Sequence, residues 1–300
     1  MRRMALFLIT NISVMIGLGL MVSLIGMKIK TVSTIILLAG VGGFSGAVIS
    51  LLLSKHIAVS SVGGKYIEKP KDELECWLIK IIRNQAKHIG IVMPRVAIYT
   101  AEDMNAFATG ATRNNSVVAV STGLLNNMKK DQIEAVLAHE MSHIVNGDMV
   151  TMTLLQGIVN TMVILMVRII SQITSVLSSS NHRMSKTHPE NTMIYSMIIR
   201  ILQGVLGVLA SLITMWFSRR REFYADAGAA KMVGAEKMIA ALERLKSSSE
   251  PKENNLVRAF CIHGSNTTNT KTFSHRSDLF KTHPSLEKRI LALRTKQYLK

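Results

Sequence analysis

The sequence predicts a mainly α-helical membrane protein, with four transmembrane helices and a polar part of helices and short strands on one membrane face. Three observations carry this. The 300 residues are 48% apolar and only 18% charged, against about a quarter in ordinary soluble domains, and the mean hydropathy is +0.27. Four apolar segments are long enough to cross a bilayer of about 30 Å at about 1.5 Å per residue. The polar remainder holds His139-Glu140-Met141-Ser142-His143, a pattern whose chemistry needs water and a fixed helix.

The first apolar segment runs from Ala5 to Met27 behind Arg2 and Arg3. A basic flank before an apolar core also marks a signal peptide. This run is too long for one, and no small-residue cleavage site closes it, so a retained helix is expected. The second segment, Val32 to Ser54, follows after only Lys28-Ile29-Lys30-Thr31, and the two form a tight hairpin. The third runs from Thr151 to about Leu177 and contains Gln156, Asn160 and Arg168. The fourth runs from Thr192 to Phe217 and contains Arg200. Each arginine can reach an interface along its own stem, or be buried in protein. Ser178 to Asn191 reads as a polar loop.

Four regions result: a transmembrane hairpin at 1–54, a polar part at 55–150, a second hairpin at 151–218 and a second polar part at 219–300. In the first polar part, Asp72 to Ile82 has the spacing of an amphipathic helix. Arg95–Tyr99 and Ser116–Ser121 are short, rich in β-branched residues and read as strands. Asp131 with Glu134 three residues later is a capping-box pattern ahead of the motif helix. Asn146-Gly147 is its stop signal. In the second polar part a helix is expected from Arg219 to about Lys246, then a polar tract through Ser277, then a short helix from Pro284.

The formal charge is +17. A basic chain can bind nucleic acid, but no nucleic-acid motif is present and aromatics are only 5%. Lys and Arg facing an anionic lipid leaflet account for the charge, so the bilayer is the expected partner and nucleic acid is not. Arg2 and Arg3, then Lys55, Lys65, Lys69 and Lys71, then Arg219 to Arg221, flank the segments. The positive-inside bias places these groups, both termini and the polar parts in the cytoplasm. Cys76 and Cys261 stand far apart, without metal-type spacing, and read as ordinary reduced thiols.

Histidines four apart on a helix lie about 40° apart around its axis, so His139 and His143 can reach one metal ion. Glu140 between them can hold a water at the metal and take its proton. Zinc suits such nitrogen and carboxylate donors with one position open, one ion per chain. A third ligand is needed. If the third and fourth segments both cross, Glu222 returns to the face that carries His143. Asp226, one turn on, can accept a hydrogen bond from the free nitrogen of a ligand histidine. Asp148 and His182 are the alternative third ligands, and Asp148 could instead support a ligand from behind.

Taken together, His139 to His143 with Asn146-Gly147-Asp148, Glu222-x-x-x-Asp226, Asn105-Ala106-Phe107-Ala108-Thr109-Gly110 and Thr282-His283-Pro284 resemble the HtpX group of membrane zinc endopeptidases. That group is related to the CAAX-prenyl proteases. The resemblance covers essentially the whole chain. It implies a gluzincin-like α+β catalytic domain on the cytoplasmic face of a bacterial inner membrane, acting on damaged or misfolded membrane proteins, often under stress. It also implies that His139, His143 and Glu222 hold zinc, that Glu140 is the general base and that Asp226 supports a ligand. By the same resemblance His283 stabilises the oxyanion, and the strand with Asn105, Ala106, Phe107 and Ala108 pairs with extended substrate. A transporter using Arg168 and Arg200, or an inactive scaffold, would have no use for a glutamate placed between two ligand histidines.

Overall fold

The computed structural model describes residues 29–181, 189–248 and 283–296. The first apolar segment, His182, His188, Cys261 and the tract through Ser277 lie outside them. The described residues divide into two compact units, drawn from Met1–Ser50 with Thr151–Thr214 and from Leu51–Val150 with Met215–Lys300.

The first unit is built from long helices: most of α1 (Ile29–Ser61), α5 (Asp148–Asn181) and α6 (Pro189–Val233). Among the described residues two stretches are long and apolar enough to cross a membrane, Asp148–Ser171 and Arg200–Val233, with Ser45–Ser61 a shorter apolar stretch. On α6 the side chains of Ile201, Val205, Val208, Leu209 and Ile213 are each more than half exposed. A continuous apolar surface of this kind calls for lipid or another apolar partner. Of the stretch Ser178–Asn191 expected as a loop, both ends are helical: α5 continues to Asn181 and α6 starts at Pro189. Proline suits a first helical position, where its missing N–H costs nothing. No new helix starts at Arg219 either. Arg, Glu and Ala between residues 219 and 230 sustain the helix, so α6 runs for 45 residues and stops before Gly234.

The second unit wraps helices around a small sheet. Strands β1 (Lys65–Tyr66), β2 (Arg95–Tyr99), β3 (Ala106–Thr112) and β4 (Asn115–Ser121) lie in the order β1-β2-β4-β3. β2 and β4 are parallel, and the outer pairs are antiparallel. Side chains alternate across the sheet. Val96, Ala106, Val118 and Val120 join the main core, while Ala97, Tyr99, Phe107, Val117 and Ala119 pack with Ala58 and Val59 from the end of α1.

The main core is closed by α2 (Glu73–Ile89), α4 (Lys130–Asn146), α7 (Ala235–Ser247) and α8 (Leu286–Arg294), with α3 (Thr122–Asn127) leading into α4. Helix α2 is longer than its sequence pattern: Asp72 caps it by accepting from the Glu75 N–H, and Gly90 ends it. Its buried residues Leu78, Ile82, Gln85 and Ala86 share one face. The cap of α4 differs from the expected one. Lys129 is the cap position, and the Gln132 side chain accepts its N–H at 3.0 Å. Asp131 and Glu134 instead lie 2.9 and 2.6 Å from Lys237 Nζ on α7. An ion pair to a neighbouring helix has taken the acids the cap would have used. Helix α4 does end at Gly147, whose φ of 69° is left-handed. Glycine occupies that region without a Cβ penalty. The next residue, Asp148, already opens α5.

Candidate metal centre

His139 and His143 project from one face of α4, as the four-residue spacing requires. Their rings meet edge to face with centroids 4.7 Å apart, and their Nε2 atoms are 3.2 Å apart. Glu222 on α6 faces both: Oε2 is 3.5 Å from His139 Nε2 and Oε1 is 3.5 Å from His143 Nε2. The three residues each offer one ligand atom, all within 4.8 Å of one another.

The other nitrogen of each ring is taken by a carboxylate. His139 Nδ1 is 3.0 Å from Asp226 Oδ1, and His143 Nδ1 is 2.6 Å from Asp148 Oδ2. A carboxylate at Nδ1 keeps the proton there and leaves the Nε2 lone pair for a metal. Asp148 thus stands behind His143 and away from the ligand cluster. Of the two alternative third ligands, Asp148 supports His143 from behind, and His182 lies outside the described residues.

The structure adds a residue that sequence reasoning missed. Arg289 on α8 is fully buried. Its Nε and Nη2 donate to both oxygens of Asp226 at 2.7 and 2.6 Å, and its Nη1 lies 3.1 Å from Glu222 Oε2. A two-pronged pair of this kind fixes carboxylate orientation as well as charge. A signal was present. Arg289 falls on the same helix face as Leu286, Ile290 and Leu293, where a cation needs a buried partner. His283, just before α8, has its Nδ1 3.1 Å from Glu222 Oε2.

Burial and charge work against each other here. Burial opposes charge on His143, but the Asp148 and Glu222 carboxylates outweigh it and push its pKa up to about 10 in the absence of a metal. His139 is raised against the same opposition, by Asp226 and Glu222. Burial raises the Glu140 carboxyl, with the two histidines pulling it back. Glu140, Asp148, Glu222 and Asp226 stand against the guanidinium groups of Arg221 and Arg289. Four carboxylates and two cations leave a formal −2 when the histidines are neutral. Buried charge demands compensation, and a divalent cation supplies it. Two imidazole nitrogens and one carboxylate also form the donor set of a catalytic metal with a position left open. The residues therefore fit such an ion.

The strand with Asn105 to Ala108 lies beside this cluster. β3 is the sheet edge. The Ser121 N–H bonds to Asn105 C=O, and Ala106 pairs with Val120, Ala108 with Val118. In an antiparallel ladder that alternation turns the N–H and C=O of Ala106 and Ala108 away from β4, toward the outer side of the strand. The Ala108 N–H accordingly donates to the Glu140 carboxylate. The Phe107 side chain packs on the opposite sheet face, in the core with α1, and Asn105 is buried at the strand start.

Two histidines on one helix and a glutamate on another that could hold a metal ion, with a further glutamate held at a sheet edge, are the arrangement of a candidate metal-dependent peptidase centre. The comparisons agree. The profile of Peptidase family M48 matches residues 72–297. Protease HtpX from Yersinia pestis (strain Pestoides F) is 55% identical over 300 residues, covering 100% of both chains. Protease HtpX from Yersinia pseudotuberculosis serotype O:1b (strain IP 31758) gives the same figures. The chain therefore belongs to peptidase family M48, and it is a membrane metalloprotease, a hydrolase. The crystal structure of S. mikatae Ste24p has a similar fold, with TM-score 0.60 and 19% identity. The match covers 94% of this chain and 62% of that one.

Proposed function

We propose that the chain is a zinc-dependent endopeptidase of the bacterial inner membrane that cleaves damaged or misfolded membrane proteins. One observation carries the chemical part: two Nε2 atoms and one carboxylate converge within 4.8 Å beside Glu140. His139, His143 and Glu222 hold the ion, and Asp226 supports His139. Bound zinc supplies a Lewis acid and lowers the pKa of water at its open position. With an ion held there, Glu140 would act as general base, taking a proton from the water that attacks the peptide carbonyl. The C–N bond breaks, and Glu140 delivers the proton to the departing nitrogen. His283, on the loop at Glu222, donates to the developing oxyanion. Extended substrate is assigned to the outer side of β3 at Asn105 to Ala108, where backbone pairing would select unfolded segments over folded ones.

Four spans, from hairpins at 1–54 and 151–218, carry the polar parts 55–150 and 219–300 on the cytoplasmic side with both termini. The lysine and arginine distribution supports this orientation. Ser185→Cys is expected to react with an impermeant label in intact cells and Glu250→Cys is not, with Cys76 and Cys261 replaced. Protection of position 185 would overturn the four-span reading.

The chemistry is tested on detergent-purified full-length protein by metal analysis alongside digestion of casein. Zinc near one per chain is expected, with activity lost on chelation and restored by zinc. Glu140→Ala should lose about 10²–10⁴-fold in activity and keep its zinc. Loss of the metal in that variant would mean the roles are wrongly assigned.

A further inference from the structure

Asp148 is the first residue of α5, and Arg221 immediately precedes Glu222 on α6. Asp148 Oδ2 is 2.6 Å from His143 Nδ1. The same oxygen is 3.5 Å from Arg221 Nε, and Arg221 Nη1 donates to the Asp148 backbone carbonyl at 3.1 Å. All three side chains are largely withdrawn from solvent, at 12% exposure for His143, 8% for Asp148 and 14% for Arg221.

From this geometry we infer that Asp148 is a positioning residue that fixes the ring of His143, and that Arg221 acts through Asp148 to hold the two ligand-bearing helices in register. The reading rests on the metal centre proposed above. It follows from what each atom can do. His143 can turn about its side-chain bonds; a carboxylate at 2.6 Å from Nδ1 removes that freedom and points Nε2 at Glu222. Asp148 is itself held from two sides, by helix α5 through its backbone and by Arg221 through both carboxylate and carbonyl. Arg221 sits next to Glu222, so any shift of α6 that moves one ligand also loosens the support of another. His139 has a separate and parallel arrangement with Asp226 and Arg289. The centre therefore has two carboxylate–arginine supports, one for each histidine. Only the His143 support joins the start of one long apolar helix to the end of the apolar run of the other.

The test uses full-length protein in detergent and reads zinc affinity by competition with a chelator. It also reads the visible spectrum of the cobalt-substituted protein, which reports ligand geometry at the ion. Asp148→Ala should bind zinc about 10–100-fold more weakly, the usual cost of losing the partner of a ligand histidine, and should change the cobalt spectrum. Asp148→Asn keeps an oxygen acceptor for the Nδ1 proton and should restore most of that loss. Arg221→Gln should weaken binding less than Asp148→Ala, and should add nothing in the Asp148→Ala background. Unchanged affinity in Asp148→Ala, no rescue by Asn, or additive effects of the two changes would each overturn the inference. If Asp148→Ala does not fold, Arg221→Gln decides, because wild-type affinity and an unchanged cobalt spectrum in that variant would exclude the coupling. His143→Ala is the control. If it leaves zinc bound as tightly as wild type, the metal centre itself is misassigned, which is a different failure.

Discussion

Gly228 of α6 approaches Ser142 of α4 so closely that a methyl group on Gly228 would stand 2.1 Å from Ser142 Oγ and 2.9 Å from its Cβ. These two helices carry all three candidate ligands, Glu222 on one and the histidines on the other. The absence of a side chain at 228 sets how near they come.

Gly228→Ala is therefore expected to destabilise the protein and weaken metal binding. Alanine gains about 1 kcal/mol of helix propensity over glycine, but overpacking costs about 1–3 kcal/mol. The hydroxyl can rotate away, whereas the Cβ contact cannot be relieved that way. Thermal unfolding and chelator competition read the effect, and Ser142→Gly in the same chain should recover part of it. Unchanged stability in the single variant would show that the helices can separate freely.

Glu222→Gln should weaken zinc binding strongly, because an amide is a far poorer ligand than a carboxylate. Asp226→Asn should weaken it less, because the amide oxygen can still accept the His139 Nδ1 proton. Asp226 also neutralises Arg289, so this variant leaves a buried guanidinium partly unpaired and should lose stability too. Isothermal titration with zinc separates the two variants. Equal affinities would move the third-ligand role away from Glu222.

Metal uptake should release protons. Without metal, His143 has its pKa raised to about 10 from an ordinary 6.5. A raised folded-state pKa means that protonated His143 stabilises the metal-free protein fully below about pH 6.5. That contribution fades as pH climbs through about 10. A ligand imidazole must be neutral, so at pH 7.5 the ion displaces that proton. Calorimetry in buffers of different ionisation enthalpy should show at least about one proton released per zinc, and fewer as pH nears 10. Heats independent of buffer would contradict this.

Ala108→Pro offers a test of the sheet edge. The Ala108 N–H points away from β4 and toward Glu140, so proline should leave the ladder intact. It removes the donor held against Glu140. Proteolysis should fall at least about tenfold while circular dichroism and zinc content stay near wild type. Full activity would mean that Glu140 does not depend on this donor.

Much of this arrangement was legible from spacing. Residues four apart on α4 had to share a face, and Glu222 and Asp226, one turn apart on α6, both meet the histidines. The strands at 95–99 and 115–121 were visible in their β-branched runs. Arg289 escaped because its partner lies 63 residues away in sequence, and an arginine in a short helix ordinarily reads as surface. The cap of α4 was misread for a similar reason, since Lys237 draws Asp131 and Glu134 across a tertiary contact. The start of α6 at Pro189 and its unbroken course past Arg219 were hidden because propensity marks neither boundary sharply.

The support given by Arg289 also sets an order in time. His139 and His143 leave the ribosome early, but the guanidinium that holds Asp226 belongs to the last helix described in the chain. At about 5–20 residues per second, roughly 7–30 s pass between the synthesis of His143 and of Arg289. During that interval His139 lacks the arginine that steadies its carboxylate partner. A nascent or prematurely terminated copy thus carries the motif without the guanidinium that orients Asp226 and faces Glu222.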